Sequence, residues 1–369
     1  MGSPWDGGSE SWCFVVAMMV LAIGCSNANA YQLSPSGTGV ERHQVKAKAV
    51  WYERYKSGAA TWSVYNFTHP VHEEITQLIF GCDTSPDACA DPEIEFAPSS
   101  VIAGVRWNDD PPFRLATTAI RECRTDQTIR VVTQPICWYQ LFRHAEKRAQ
   151  TTYFDGKSKR WNTMYRSHFG DLQFLHSMAS RDGEPAGTTR DRILMWAEFA
   201  WSVAVGAEKG NTLLRDVKVK GFAEFFPRSG QDVLDLYTLG NQALRRGLGD
   251  VAFGSLLHVV QDSFAFGHAE RSKPMAGAVC TGTSLPQPGT IRAFRSYSSQ
   301  DHKKHGAHDA RDAFQSGMQA TPNAVAVGKV LLASYDEKKP WSAVEPYLKC
   351  VFAVEDEKME ASSGEGLGM

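Results

Sequence analysis

Four histidines in this 369-residue chain are followed four positions later by a carboxylate: His69 and Glu73, His258 and Asp262, His305 and Asp309, His308 and Asp312. On a helix that spacing puts imidazole and carboxylate on one face, where both can converge on a single ion. His258 and Asp262 lie in the apolar run LLHVVQDSFAFGHAER. An unpaired carboxylate is costly to bury there, and a divalent cation removes that cost. His268 follows just past Gly267, where a turn can swing its ring to a neighbouring ion. Nearby segments add candidates: SHFGDLQFLH carries His168 and His176, HPVHEEIT carries His69 and His72, and RWNDDPP carries Asp109 and Asp110. The plain reading of any single pair is a hydrogen-bonded core His–Asp contact. Imidazole and carboxylate together, without thiolate, form the ligand set of hydrolytic zinc sites.

The elements that must position these groups are helical. VHEEITQLIF at 71–80 has helical periodicity and ends at Gly81, and further helical patterns fall at 114–122, 139–150, 170–181, 187–208, 231–247, 249–265, 305–318 and 321–336. RDRILMWAEFAWSVAVGAE is apolar on most faces and reads as a central helix. Residues 82–112 read as a disulfide-stapled loop, residues 269–300 as a long loop between two His-bearing helices, and the polar tail from Glu355 as flexible. Alternating strand patterns are scarce, so the expected class is all-α. One catalytic domain spans 61–354, preceded by a 1–30 signal peptide and a 31–60 extension and followed by a 355–369 tail.

Compartment follows from the N-terminus and the cysteines. Trp12 to Gly24 is an apolar run too short for a membrane-spanning helix, which needs about 20 residues. It reads as the core of a secretory signal, with cleavage after Ala28-Asn29-Ala30 exposing Tyr31, although the preceding segment has no Lys or Arg. Cys25 offers an alternative lipid-anchoring signal. Removing the leader leaves Cys82, Cys89, Cys123, Cys137, Cys280 and Cys350, an even set that suits disulfides outside the cytoplasm. Cys82 with Cys89 and Cys123 with Cys137 are close enough to pair locally, and Cys280 with Cys350 would tie a late loop to the C-terminal region. No CxxC spacing occurs, so histidines must carry any metal. A formal charge of −2 supplies no general attraction for polynucleotides.

On these residues the chain resembles the zinc-dependent phospholipase C and P1 nuclease superfamily, with closest likeness to the bacterial phospholipase C group of Pseudomonas and Legionella. His258, Asp262 and His268 match that family's diagnostic spacing. Ser167-His168-Phe169 resembles the segment whose His shares the first zinc, Asp109 (or Asp110) matches the acid proposed as general base, His305 with Asp309 (or His308 with Asp312) matches the late motif, and His72 matches the early His. The resemblance implies a secreted or periplasmic monomer with a single-domain helical fold around a cleft of two or three zinc ions. In that cleft Asp262 bridges two zincs, His168, His258 and Asp109 complete one site, His268, His305 and Asp309 hold another, and His72 belongs to a third. Family members commonly use an N-terminal Trp as a further ligand; here Tyr31 would occupy that terminus, Trp62 reads as a core or rim aromatic, and His69 would supply the missing ligand. The implied activity is hydrolysis of phosphatidylcholine-type phospholipids at a membrane surface, without an integral membrane span and without nucleic acid as the preferred substrate. The alternatives are a P1-like single-strand nuclease or 3′-nucleotidase, and a non-catalytic exported zinc- or lipid-binding protein.

Overall fold

Every residue from Val251 to Asp262 is buried, so the helix that contains them must be enclosed on all sides. In the computed structural model, which describes residue 38 and residues 70–368 apart from 84–85, 92–93, 152–161, 227–229 and 298–299, the rest of the chain is arranged around that helix. The fold is mostly helical. Its described helices of at least seven residues are α1 (Val71–Ile79), α2 (Ser99–Trp107), α3 (Pro135–Thr151), α4 (Thr163–Phe169), α5 (Ala186–Ala204), α6 (Leu248–Asp262), α7 (His302–His308), α8 (Arg311–Gly317), α9 (Ala324–Asp336) and α10 (Trp341–Val351). Two short antiparallel strands, β1 (Ala269–Arg271) and β2 (Ile291–Phe294), form one sheet. The signal segment, the 31–60 extension other than residue 38, Trp62 and His69 lie outside the described residues.

Helix α6 packs most extensively on α2 and then on α5, while α1 lies against α2 and α9. The α2–α6 crossing is made by glycines. A Cβ on Gly104 would stand 2.1 Å from the Val251 carbonyl oxygen, and one on Gly254 would stand 2.2 Å from the Val101 carbonyl oxygen. The two backbones therefore touch, with no side chain between them. Around this contact Trp107 of α2 stacks on Trp196 of α5 at 5.5 Å, and their indole N–H groups donate to Leu236 O and Ser255 Oγ. A second, smaller apolar cluster joins Trp138 and Phe142 of α3 to Tyr165 and Phe169 of α4. Asn162 caps α4 by accepting from the Tyr165 N–H, and Asn323 caps α9 by accepting from Ala326.

Three disulfides, Cys82–Cys89, Cys123–Cys137 and Cys280–Cys350, are the expected pairs and fit an extracellular protein. Among the described residues no helix is long and apolar enough to cross a membrane.

Several elements differ from the sequence reading. The stretch 82–112 is not all loop, because α2 occupies its apolar part, VIAGV, between prolines and aspartates. Residues 114–122 form no helix; none of them is buried, so there was no packed face to stabilise one. The 170–181 stretch holds no α-helix: α4 ends at Phe169, and only a single 3-10 turn follows at Gln173–His176. Helix α5 is largely buried but leaves Leu194, Glu198 and Ser202 partly exposed, and α6 is the more enclosed of the two, buried throughout from Val251 to Asp262. The segment after Glu355, read as flexible, is tied down by its backbone: Ala361 N–H donates to Glu184 O, Ser296 N–H to Ser362 O and Asp301 N–H to Leu367 O, with Leu367 buried.

Gly104→Ala should therefore lower unfolding free energy by about 3 kcal/mol or prevent folding, since overpacking against backbone has nowhere to relax. Gly317→Ala, where a Cβ meets open space, should stay within about 0.5 kcal/mol of the parent. Urea unfolding of the two variants compares them directly; equal midpoints would show that the α2–α6 contact is not tight.

Candidate metal centre

The crossing of α2 and α6 brings their C-terminal ends together, and nine His and Asp side chains gather there in three groups. His72, His258 and Asp262 form one; Asp109, His168 and His176 form a second; His268, His305 and Asp309 form the third. Within each group the potential ligand atoms lie within 4.8 Å of one another, so each could hold a metal ion. The groups are contiguous through Asp262. Its Oδ1 lies 3.3 Å from His72 Nε2, while its Oδ2 lies 2.9 Å from His258 Nε2, 3.0 Å from His176 Nδ1 and 3.6 Å from His268 Nδ1.

Hydrogen bonds to backbone or amide oxygens set which ring nitrogen faces the centre. His258 Nδ1 donates to Val105 O at 2.7 Å, His268 Nδ1 to His176 O at 2.6 Å and His168 Nδ1 to Met164 O at 2.9 Å. For His72 the donor is fixed by a chain of partners. Thr76 Oγ1 donates to His72 O and accepts from Gln261 Nε2, so Gln261 must offer its oxygen to His72 Nδ1, 2.6 Å away. Four imidazoles thus spend their Nδ1 proton on an oxygen and turn Nε2 toward the centre. That is the arrangement by which proteins orient histidine for metal.

Imidazole nitrogens and carboxylate oxygens then crowd together at the centre. His72 Nε2 faces the Asp262 Oδ1 oxygen, and among the described residues Asp262 Oδ1, Asp109 Oδ2, Asp309 Oδ1 and His176 Nε2 are buried with no hydrogen-bond partner. Such groups cost free energy unless a cation joins them. The donor set, nitrogen and carboxylate oxygen with every described cysteine held in a disulfide, suits zinc.

The electrostatics reflect the same crowding. Burial pushes the His168 imidazole down to about 3, and those of His176 and His258 down to about 4. Burial acts on His268 in the same sense, but Asp262 and Asp309 outweigh it and raise that ring to about 10. Burial, with Asp262 adding to it, lifts Asp109 well above the usual carboxylate range. Burial would lift Asp262 too, yet His268, His258 and His72 hold it well below that range.

All eight ligands expected from the sequence lie in the centre, but their partners differ in one respect. His258 groups with His72, and the third place beside Asp109 and His168 is taken by His176, which had not been assigned as a ligand. No helical periodicity marks His176: it ends the 3-10 turn, and Ser177 beyond it has φ 50° and donates from Oγ to Val259 O. The two open alternatives close as well. Asp110 pairs with Arg130 at 3.1 Å and accepts from the Val131 N–H, so it braces the loop while Asp109 faces the histidines. Asp312 is exposed, whereas His305 and Asp309 are buried 3.0 Å apart, and the missing side chain of Gly267 leaves room for the His305 ring. Glu73 pairs with the buried Arg106.

Comparison with protein-family models, with curated proteins and with solved structures found no match.

Two outcomes follow from the ring orientations and charges. Gln261→Leu should weaken zinc binding by about 10–100-fold with the fold retained by circular dichroism, because it frees the His72 tautomer. Gln261→Glu, which keeps an acceptor, should lose less. Zinc added to chelator-stripped protein at pH 7.5 should release at least one proton, from His268, and affinity should fall as pH is lowered because protons compete for that ring. Titration calorimetry in two buffers of different ionisation enthalpy reads the release; identical heats would contradict it.

Proposed function

We propose that this chain is a zinc-dependent phosphodiesterase of the phospholipase C and P1 nuclease kind, acting on phosphatidylcholine-type phospholipids to give diacylglycerol and a phosphorylated head group. The observation that carries the proposal is the merging of three His/Asp groups around one carboxylate, Asp262. Zinc ions bound there would lower the pKa of a water and neutralise charge on the phosphoryl oxygens.

His72, His258 and Asp262 would hold one ion, Asp109, His168 and His176 a second, and His268, His305 and Asp309 a third. The protein's own part is orientation and proton handling. Access is from the Asp109 end: the Asp109 and His168 side chains are 8% and 9% exposed, against 0% for His258 and Asp262. A phosphodiester entering there meets Asp109 first. Its carboxylate, facing the histidines at the more exposed end of the centre, is placed to take the proton of the attacking water. The carbonyl-anchored rings of His168, His258 and His268 need no reorganisation as charge develops.

A lipid is preferred to a polynucleotide because a formal charge of −2 supplies no general attraction for nucleic acid. Phe142, Phe169 and Tyr297 beside His168 and His305 are buried and packed on neighbouring rings, whereas Phe266, two positions before His268, is exposed.

Zinc-loaded protein should release phosphorylcholine from phosphatidylcholine and leave single-stranded DNA intact. DNA cleavage without lipid hydrolysis would make it a nuclease, and bound zinc with no turnover on either would make it a binding protein. Asp262→Asn should abolish activity together with zinc content. Asp109→Asn should lower kcat by about 100-fold or more even at saturating zinc.

A further inference from the structure

The large apolar side chains with the greatest exposure among the described residues, Met275 at 75% and Val279 at 53%, sit on one loop, between β1 and β2. Isolated exposed hydrophobes are ordinary on protein surfaces. Two features set this loop apart. The first is charge: from Arg271 to Gln300 the sequence contains no Asp or Glu, and Lys273 near the loop's start is exposed.

The second is rigidity. The loop folds back on itself as Cys280 N–H donates to Leu285 O and Gln287 N–H donates to Ala278 O, and the Cys280–Cys350 disulfide fastens it to α10. Its base is clamped by Arg271. That guanidinium donates to Ser263 O at 2.7 Å, Ser263 Oγ at 2.8 Å, Gly289 O at 2.8 Å and Val351 O at 2.8 Å, and it lies over the Phe264 ring. Ser263 immediately follows Asp262, so the loop is fastened to the end of the helix that carries the shared carboxylate.

We infer, on the premise that the centre hydrolyses phospholipid, that the 272–289 loop docks the protein on a lipid surface, with Met275 and Val279 entering the boundary between head groups and acyl chains. A loop with exposed apolar side chains and no acid of its own meets less repulsion from a layer of phosphates, and Lys273 adds attraction. A loop held in shape before contact loses little conformational freedom on docking. Two exposed side chains on one loop are too small a surface for a stable protein partner, which takes about 1,000 Å² or more.

Sedimentation of the zinc-loaded full chain with sucrose-loaded phosphatidylcholine vesicles tests the inference, alongside turnover of soluble p-nitrophenyl phosphorylcholine. The double variant Met275→Asp/Val279→Asp should raise the lipid concentration for half-binding by about tenfold or more. Its turnover of the soluble ester should be unchanged, and its vesicle hydrolysis should fall with binding. Met275→Ser/Val279→Ser, a milder change that guards against misfolding, should give a smaller shift in the same direction. Wild-type protein that fails to sediment, or variants that bind vesicles as well as wild type, would overturn the docking assignment. Wild-type protein that binds vesicles through these residues but hydrolyses neither substrate would uphold docking while sinking the phosphodiesterase proposal.

Discussion

The contact on which the rest depends is the one between two backbones. Gly104 and Gly254 let α2 and α6 approach until carbonyl oxygens occupy the space a methyl group would need. At that separation His258 can reach the Val105 carbonyl, Asn108 can donate to Leu175 O, and Ser255 can donate to Asn108 Oδ1. The Trp196 indole closes the network on Ser255. These bonds lock the relative rotation of the helices. Asp109 and Asp262, just past and at the ends of those helices, consequently meet across a distance set by rigid elements rather than by loops.

From that framework the charge problem follows. Carboxylates and imidazoles are packed together in a largely buried centre, and their outer hydrogen bonds fix the rings that face it. The protein tolerates this in part by redistributing protons, raising His268 while lowering His168, His176 and His258. A proton is a poor substitute for a divalent ion in such a place, since it satisfies one pair of acceptors and leaves the others opposed. With the Asp262 carboxylate shared, ions in the three groups would not bind independently: one at either side would change the charge felt at the next.

How much of this could be read from the chain depends on which force positioned each residue. His258 and Asp262 were legible because a helix imposes its own spacing, and His268 because Gly267 signals a turn. The three disulfides followed from proximity and an even count. Helix α2 was hidden: nine residues, a central glycine and proline-rich flanks carry little periodic signal, and its stability comes from being pressed on α6. His176 was hidden for a related reason, as its position comes from a 3-10 turn and a left-handed Ser177 held by the Val259 carbonyl. The choice between Asp109 and Asp110 could not be made from adjacent identical residues. Arg130, twenty positions away, decides it by claiming the second.

The segment after Glu355 reaches back to the metal-site loops. Gln300 donates from one amide nitrogen to Gly267 O, beside His268, and to Ser363 O, while Asp301, at the start of α7, is hydrogen-bonded to Leu367. The third His/Asp group is therefore braced from a segment that carries none of the group's side chains. Its geometry is a property of the packed chain rather than of α7 alone: loosening the segment after Glu355 would leave His268, His305 and Asp309 in the sequence yet remove the hydrogen bonds that hold the backbone beside them.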